Sequence, residues 1–474
     1  MLFPTIDFAI FFAVVFTGSW LLSRRPITWK VWVLAASYLF YAWWDWRFVG
    51  LLALATAISH AGGEGVHRSA AGSWQRKLAL WGSVGGLLGV LGYFKYYGFF
   101  ALNLDNVLSG LGLGHLLPLL QPTLPIAISF FTFMAISYVV DIHRGQLLPA
   151  TPLDLAVYLA FFPHLVAGPI VRGSELLPQL RRRRDPNGID LTRAGMLILV
   201  GLFKKVVVSS YLASAIVDPV FASPANHSAI DVIVGAWAYA CQIYCDFSGY
   251  TDIAIGLAML LGIRFPVNFD APYSAANLQD FWRRWHITLS RWLRDYLYIP
   301  LGGNRGSQAE TARNIVLTMV LGGLWHGANW TFLAWGLLHG IGQVVGHLRR
   351  SRLDRLGLKP SLAPLAIARQ RFLTFQFVCL AWIFFRATSM RNAEDILGRL
   401  LHGWSTPTSA TAGLLLLVLA VVAMQQLRGS YADGVLNRVA SWHPAAQATL
   451  GSLGLFTVTT LGPTGVAPFI YYRF

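Results

Sequence analysis

The chain has 474 residues, of which 55% are hydrophobic and only 12% charged, with a mean hydropathy of +0.53. Soluble domains carry about 25% charged residues, so the composition excludes an ordinary soluble protein and favours one polytopic membrane domain over residues 1–474. The net charge of +16 sits between apolar runs, which reads as positive-inside cytoplasmic loops rather than as a nucleic-acid footprint.

The N-terminus, Met1-Leu2-Phe3-Pro4, leads into an apolar run with no preceding basic region and no small-residue cleavage site. This predicts a retained first helix, not a cleaved signal. Further apolar runs follow at 31–44, 48–60, 78–100, 123–140, 155–170, 195–217, 230–262, 314–346, 372–386, 411–427 and 447–466. A perpendicular span needs about 20 residues. Several runs are shorter, so some segments are expected to tilt or re-enter. The expected fold is an all-α polytopic membrane protein of about 11 transmembrane helices plus re-entrant and interfacial helices.

Loop charge gives an orientation. Arg24, Arg25 and Lys30 follow the first run, and Arg68, Arg76 and Lys77 follow the third, whereas 103–122 and 218–229 carry no Lys or Arg. The N-terminus is therefore expected outside, with 22–30, 61–77, 141–154 and 264–313 inside. The basic block Arg349 to Arg371 also belongs inside, so 314–346 must cross twice or form a re-entrant hairpin. The C-terminus is then outside.

His164 lies between two prolines in Phe162-Pro-His-Leu-Val-Ala-Gly-Pro169. Prolines argue against a straight helix, leaving a structural kink or a re-entrant turn near an active cavity. The run Arg181 to Arg184 reads as a solvated, headgroup-facing loop. Asp246 and Asp252 fall in membrane-length apolar sequence, where each charge costs about 2.5–3.5 kcal/mol at a helix centre. They should face a cavity or pair with a basic group. Ser248, Gly249 and Thr251 predict a broken helix there. Tunnel wall, proton-linked site and structural polar pair all remain open. Cys241 and Cys245, one helical turn apart, read as small packing residues, and with Cys379 they form no metal-site spacing.

The segment 264–313 carries seven Arg yet is rich in Trp, Tyr and Pro, as expected of interfacial helices on the cytoplasmic side. Asn277 is a plausible N-cap with Asp280 three positions on. From there one amphipathic helix is predicted. Phe281, Trp282, Trp285, Leu289, Trp292, Leu293, Tyr296 and Leu297 form its apolar face; Asp280, Arg283, Arg284, Arg291 and Arg294 lie opposite. His286 sits at the edge of the apolar stripe. His326 lies near the middle of an uncharged run, Ile315 to Trp335, after Gly322-Gly323 and before Gly327. Small residues permit close backbone approach. Its imidazole is either a general base or a buried ring hydrogen-bonded to a neighbouring helix.

Taken in order, several of these segments resemble the membrane-bound O-acyltransferase family, in its bacterial alginate O-acetyltransferase branch. They are Phe162–Pro169, Cys245-Asp-Phe-Ser-Gly-Tyr-Thr-Asp252, Asn268-Phe-Asp-Ala-Pro-Tyr273, Phe281-Trp-Arg-Arg-Trp-His-Ile-Thr-Leu-Ser290, Tyr298-Ile-Pro-Leu-Gly-Gly-Asn-Arg305, Leu324-Trp-His-Gly327 and the ending Phe469-Ile-Tyr-Tyr-Arg-Phe474. The likeness covers nearly the whole chain and is strongest over 160–340. It implies tilted helices around a central tunnel open to both sides at a narrow waist. His326 matches the family's membrane-embedded catalytic histidine and His286 its second active-site histidine. Acyl transfer from a thioester to a hydroxyl needs a base on the hydroxyl and a stabilised oxyanion. His326 is then the base, and His286 positions the donor or polarises its carbonyl.

No bound cofactor or metal is expected, and acetyl-CoA is the implied donor. Arg283 and Arg284 are candidates for its phosphates, and Trp282 and Trp285 for its adenine. Asp246, Asp252, Trp325 and Asn329 are candidates for the tunnel wall. Implied partners are membrane lipids, a polysaccharide acceptor and an exported serine-hydrolase-type acetyltransferase at the bacterial inner membrane; no nucleic acid is implied. Peptidoglycan acetylation, D-alanyl transfer to teichoic acid and protein or lipid acylation are neighbouring alternatives. A glycan or lipid transporter is the alternative from another class.

Overall fold

The computed structural model describes residues 1–113, 118–358, 363–427 and 429–463; the Phe469–Phe474 ending lies outside them. Every regular element among the described residues is helical. The chain divides into two compact units, Met1–Ala194 with Ala254–Pro266, and Gly195–Ile253 with Val267–Phe474.

The first unit contains α1 (Ile6–Leu21), α2 (Pro26–Ala42), α3 (Val49–Arg68), α4 (Trp74–Leu91), α5 (Tyr97–Gly110), α6 (Ile128–His143), α7 (Pro152–Ala160) and α8 (Gly173–Arg181). Capping sets several starts. The Phe8 N–H donates to Thr5 Oγ1 at 3.2 Å, and α2 and α7 begin on Pro26 and Pro152, whose missing N–H costs nothing at a first helical position. Helix α6 is the centre of this unit. Ile128 through Val139 are all buried, as expected of a helix apolar on every face. Gly62 and Gly63 let α3 approach its neighbours: a Cβ on Gly63 would come within 3.0 Å of the Tyr138 ring, and one on Gly62 would strike Ser83.

The segment around His164 is broken as its prolines require. A helical turn, Phe162–Leu165, follows α7. His164 is fully buried against Phe161 and Phe265, and a Cβ on Gly168 would overlap its backbone. One expectation fails nearby. Arg184 does not point into a solvated loop with its neighbours. Its guanidinium lies 3.1 Å from the Trp29 ring centroid, and burial lowers its pKa to about 10. Stacking on an indole is how a guanidinium, weakly hydrated and planar, tolerates partial burial.

Helix α9 (Leu191–Leu202) enters the second unit at Gly195 and continues through π-helical turns over Phe203–Ser209. Then come α10 (Ala229–Leu260), α11 (Leu278–Arg284), α12 (Ile287–Leu293), α13 (Gln308–His326), α14 (Trp330–Arg355), α15 (Pro364–Arg386), α16 (Met390–His402), α17 (Ala412–Met424), α18 (Gly429–Ala440) and α19 (Pro444–Leu461). Helices α13 and α14 form the hairpin expected of 314–346, turning at residues 327–329. Glycines set its closeness: a Cβ on Gly336 would lie 3.0 Å from the Val320 Cα, and one on Gly340 would lie 3.1 Å from the Val316 Cα.

Three helices among the described residues are long and apolar enough by themselves to cross a bilayer: Trp46–Arg68, Trp74–Gly110 and Leu191–Ala222. Others are shorter apolar helices, such as α1, α6 and α17. At about 1.5 Å per residue, a 16-residue helix such as α1 is about 24 Å long, less than a hydrocarbon core of about 30 Å. Ile6, Ile10, Val14 and Leu21 stand exposed along α1, a surface suited to lipid and not to water.

Candidate active site

Two features of the second unit differ from what the sequence predicts. Helix α10 runs unbroken through Asp246, Ser248, Gly249 and Thr251. Gly249 does not break it; it makes a helix crossing. A Cβ there would lie 2.7 Å from the Gly201 carbonyl oxygen and 3.1 Å from the Lys205 nitrogen. That contact brings Lys204 onto Asp252 and Lys205 onto Asp246 as ion pairs. Lys204 also donates to Ser248 Oγ at 3.0 Å. The structural pairing, one of the readings open for these carboxylates, is the arrangement found. The lysines carry the same signal as the aspartates, charge inside an apolar run, and could have been paired with them on that ground.

The predicted amphipathic helix over 277–297 is also corrected. Its start is right, since the Asp280 N–H donates to Asn277 Oδ1 at 2.9 Å. The helix then stops at Arg284 and restarts at Ile287, and His286 between them is left-handed with φ +42°. The irregular stretch 268–270 holds this break from both sides. The Asp270 N–H donates to the Arg284 carbonyl at 3.0 Å, and the Ile287 N–H to the Asn268 carbonyl at 2.9 Å. Left-handed backbone costs a non-glycine residue roughly 1–3 kcal/mol and persists only where surroundings over-determine it.

His286 is thereby turned from the edge of a stripe into the core, where it is fully buried. Its ring meets Phe247 edge-on at 4.7 Å and Trp325 at 6.2 Å. Its Nδ1 lies 3.2 Å from Asn268 Oδ1, and its Nε2 has no hydrogen-bond partner among the described residues. Burial lowers its pKa to about 3, so the ring is neutral at physiological pH.

His326 ends α13 at the mouth of the hairpin. Trp325, Trp335 and Phe385 surround its ring edge-on at 4.9, 5.2 and 5.1 Å. Trp325 thus touches both predicted histidines. A third histidine, which sequence reasoning missed, joins the cluster. His339 lies one turn after Trp335 and 4.9 Å from its ring, is fully buried, and accepts from Trp282 Nε1 at 3.2 Å through Nδ1. The Trp335-x-x-x-His339 spacing on a membrane-length run was the available signal.

The remaining predicted residues divide. Trp282 packs on Trp335, and Trp285 on Phe281 and Trp382; both indoles are buried. Arg283 is exposed, whereas Arg284 pairs with Asp280 at 2.9 Å and Asp270 at 3.7 Å. Asn329 caps α14: its Oδ1 accepts from the Thr331 N–H at 3.1 Å and its Nδ2 donates to the Thr388 carbonyl at 3.3 Å. Cys241, Cys245 and Cys379 are all buried thiols.

The segment holding all three histidines matches the membrane-bound O-acyltransferase family over residues 125–387. A probable alginate O-acetylase of Azotobacter vinelandii is 39% identical over 91% of this chain and 86% of its own length. One from Pseudomonas aeruginosa is 41% identical over 83% of this chain and 73% of its own. A peptidoglycan O-acetyltransferase of Helicobacter pylori is 36% identical over 83% of this chain and 78% of its own. With a family match across more than half its length and these relatives across most of it, the chain belongs to the membrane-bound O-acyltransferases and is a multi-pass membrane enzyme that transfers acyl groups to hydroxyls.

Proposed function

We propose that this enzyme moves acetyl groups from cytosolic acetyl-CoA through the inner membrane for O-acetylation of an exported polysaccharide such as alginate. His326 acts as general base. It takes the proton of an attacking hydroxyl while the oxygen adds to the thioester carbonyl, and the thiolate leaves as the tetrahedral intermediate collapses. The supporting observation is the enclosure of His326 by Trp325, Trp335 and Phe385 within the family-matched segment. Burial among aromatic rings lowers the local dielectric and strengthens electrostatic contacts made there.

The reading also holds that about 11 tilted membrane helices surround a central tunnel, with both termini outside. An exported serine-hydrolase-type protein carries the acetyl group to the glycan. Arg283, on the exposed face of α11, is the better placed of the two arginines for a donor phosphate, because Arg284 is engaged by carboxylates. The similarity to a peptidoglycan O-acetyltransferase supports a second acceptor, the glycan strand of the cell wall.

The test is thiol release from acetyl-CoA by the purified protein with its exported partner, compared with His326→Ala after both are shown to be folded. Loss of at least about a hundred-fold in the variant is expected for removal of a general base. Equal rates would remove His326 from the mechanism. Supplying alginate or peptidoglycan oligomers separates the two acceptors.

A further inference from the structure

We infer that Asn268 is a positioning residue that fixes His286 as the Nδ1-protonated tautomer, so that His286 meets substrate as a hydrogen-bond acceptor through Nε2. The inference rests on the proposed function for its catalytic meaning. The tautomer itself follows from hydrogen bonding alone.

The orientation of the Asn268 amide is decided by Thr288. The Thr288 backbone N–H can only donate, and it lies 3.1 Å from Oδ1; the Thr288 hydroxyl donates to the same oxygen at 2.8 Å. That atom is therefore the carbonyl oxygen and only accepts. The His286 Nδ1 at 3.2 Å must then carry the proton. A neutral imidazole has one N–H, so Nε2 keeps its lone pair. Nε2 is fully buried and has no donor facing it among the described residues, which costs free energy unless a ligand supplies one.

The consequence bears on mechanism. A neutral ring with bare Nε2 does not polarise a thioester carbonyl, because that needs a donor. It holds an O–H or N–H: either the acceptor hydroxyl or an amide N–H of the pantetheine arm. His339 is built the other way round. Its Nδ1 accepts from Trp282, so its proton sits on Nε2. The left-handed backbone at His286 is the strain that this arrangement tolerates, and α11 stops short to permit it.

Asn268→Asp tests the assignment directly. The carboxylate keeps an acceptor for all three donors, and Asn268 Nδ2 has no partner among the described residues to lose. Its charge favours the imidazolium. Transfer is expected to survive at alkaline pH, with the acid limb of kcat/KM moved up by at least about one pH unit. Asn268→Leu, which leaves the His286 Nδ1–H without its acceptor, is expected to lose about ten-fold or more. An Asp variant with wild-type rate and an unmoved acid limb would overturn the inference. So would 15N-histidine NMR of the full-length protein in detergent, with His286 assigned by His286→Gln, if it found the proton on Nε2. A bare Nε2 together with full activity in His286→Gln would leave the tautomer standing and overturn the catalytic reading instead. With His286→Phe, a raised KM for the glycan points to the hydroxyl, and a raised KM for acetyl-CoA to the amide.

Discussion

The helix crossing at Gly201 and Gly249 and the break at His286 solve one problem in opposite ways. Both place ionisable groups in the apolar interior of the second unit. At the crossing each charge meets its partner within the protein, Lys204 with Asp252 and Lys205 with Asp246. At the break one side of the imidazole is satisfied and the other meets no hydrogen-bond partner among the described residues. Pairing within the chain fits a structural role for the crossing, and an imidazole paired on one side fits the substrate contact proposed for His286.

The largest expected effect breaks the crossing. Lys205→Ala removes one member of a buried pair and strands Asp246, a loss of about 3–5 kcal/mol, read as a collapse in folded yield or in detergent melting temperature. The double variant Lys205→Met with Asp246→Leu is expected to regain most of that loss, because an apolar pair of similar volume is often neutral. If the single variant instead melts like wild type and fails only in transfer, the pair belongs to the chemistry and not to the scaffold.

The next effect sharpens the break. His286 has a folded pKa of about 3 against 6.5 for an ordinary histidine. The unfolded chain therefore binds this proton more readily, and stability falls as pH drops from about 6.5 toward 3. His286→Gln is expected to reduce the steepness of that acid loss by up to about 1.4 kcal/mol per pH unit, measured by melting temperature against pH. An unchanged slope would mean that the ring is reached by water.

The success and failure of sequence reasoning follow the same division. The all-helical class, the α13–α14 hairpin and the cap at Asn277 were legible because periodicity, charge and capping act locally. The break at His286 was not, because the Trp282-Trp285-Leu289 spacing is compatible with an unbroken helix. What stops that helix is pairing with residues 268–270, a non-local contact. Gly249 misled for the opposite reason: a glycine permits both a break and a close crossing, and only the opposing Gly201 decides. Asn268 lies within a legible motif, but its role depends on a side-chain orientation that no spacing encodes.

Two smaller effects test whether the aromatic cluster is as specific as its hydrogen bonds imply. Trp282→Phe keeps the ring packing but removes the donor to His339, worth about 1 kcal/mol. It also frees His339 to change tautomer, so transfer is expected to fall more than melting temperature does. The smallest effect concerns Asn329, only three residues from His326. Its side chain caps α14 and reaches the Thr388 carbonyl, so Asn329→Ala is expected to cost about 1 kcal/mol of stability, with transfer unchanged once melting is allowed for. Asn329→Asp keeps the cap oxygen and loses only the exposed donor to the Thr388 carbonyl, so it should recover most of the melting temperature. A large loss of transfer in both variants, with melting restored only in the second, would move Asn329 from the scaffold of the hairpin into the tunnel, because a cap does not distinguish an amide from a carboxylate whereas a neutral substrate contact does.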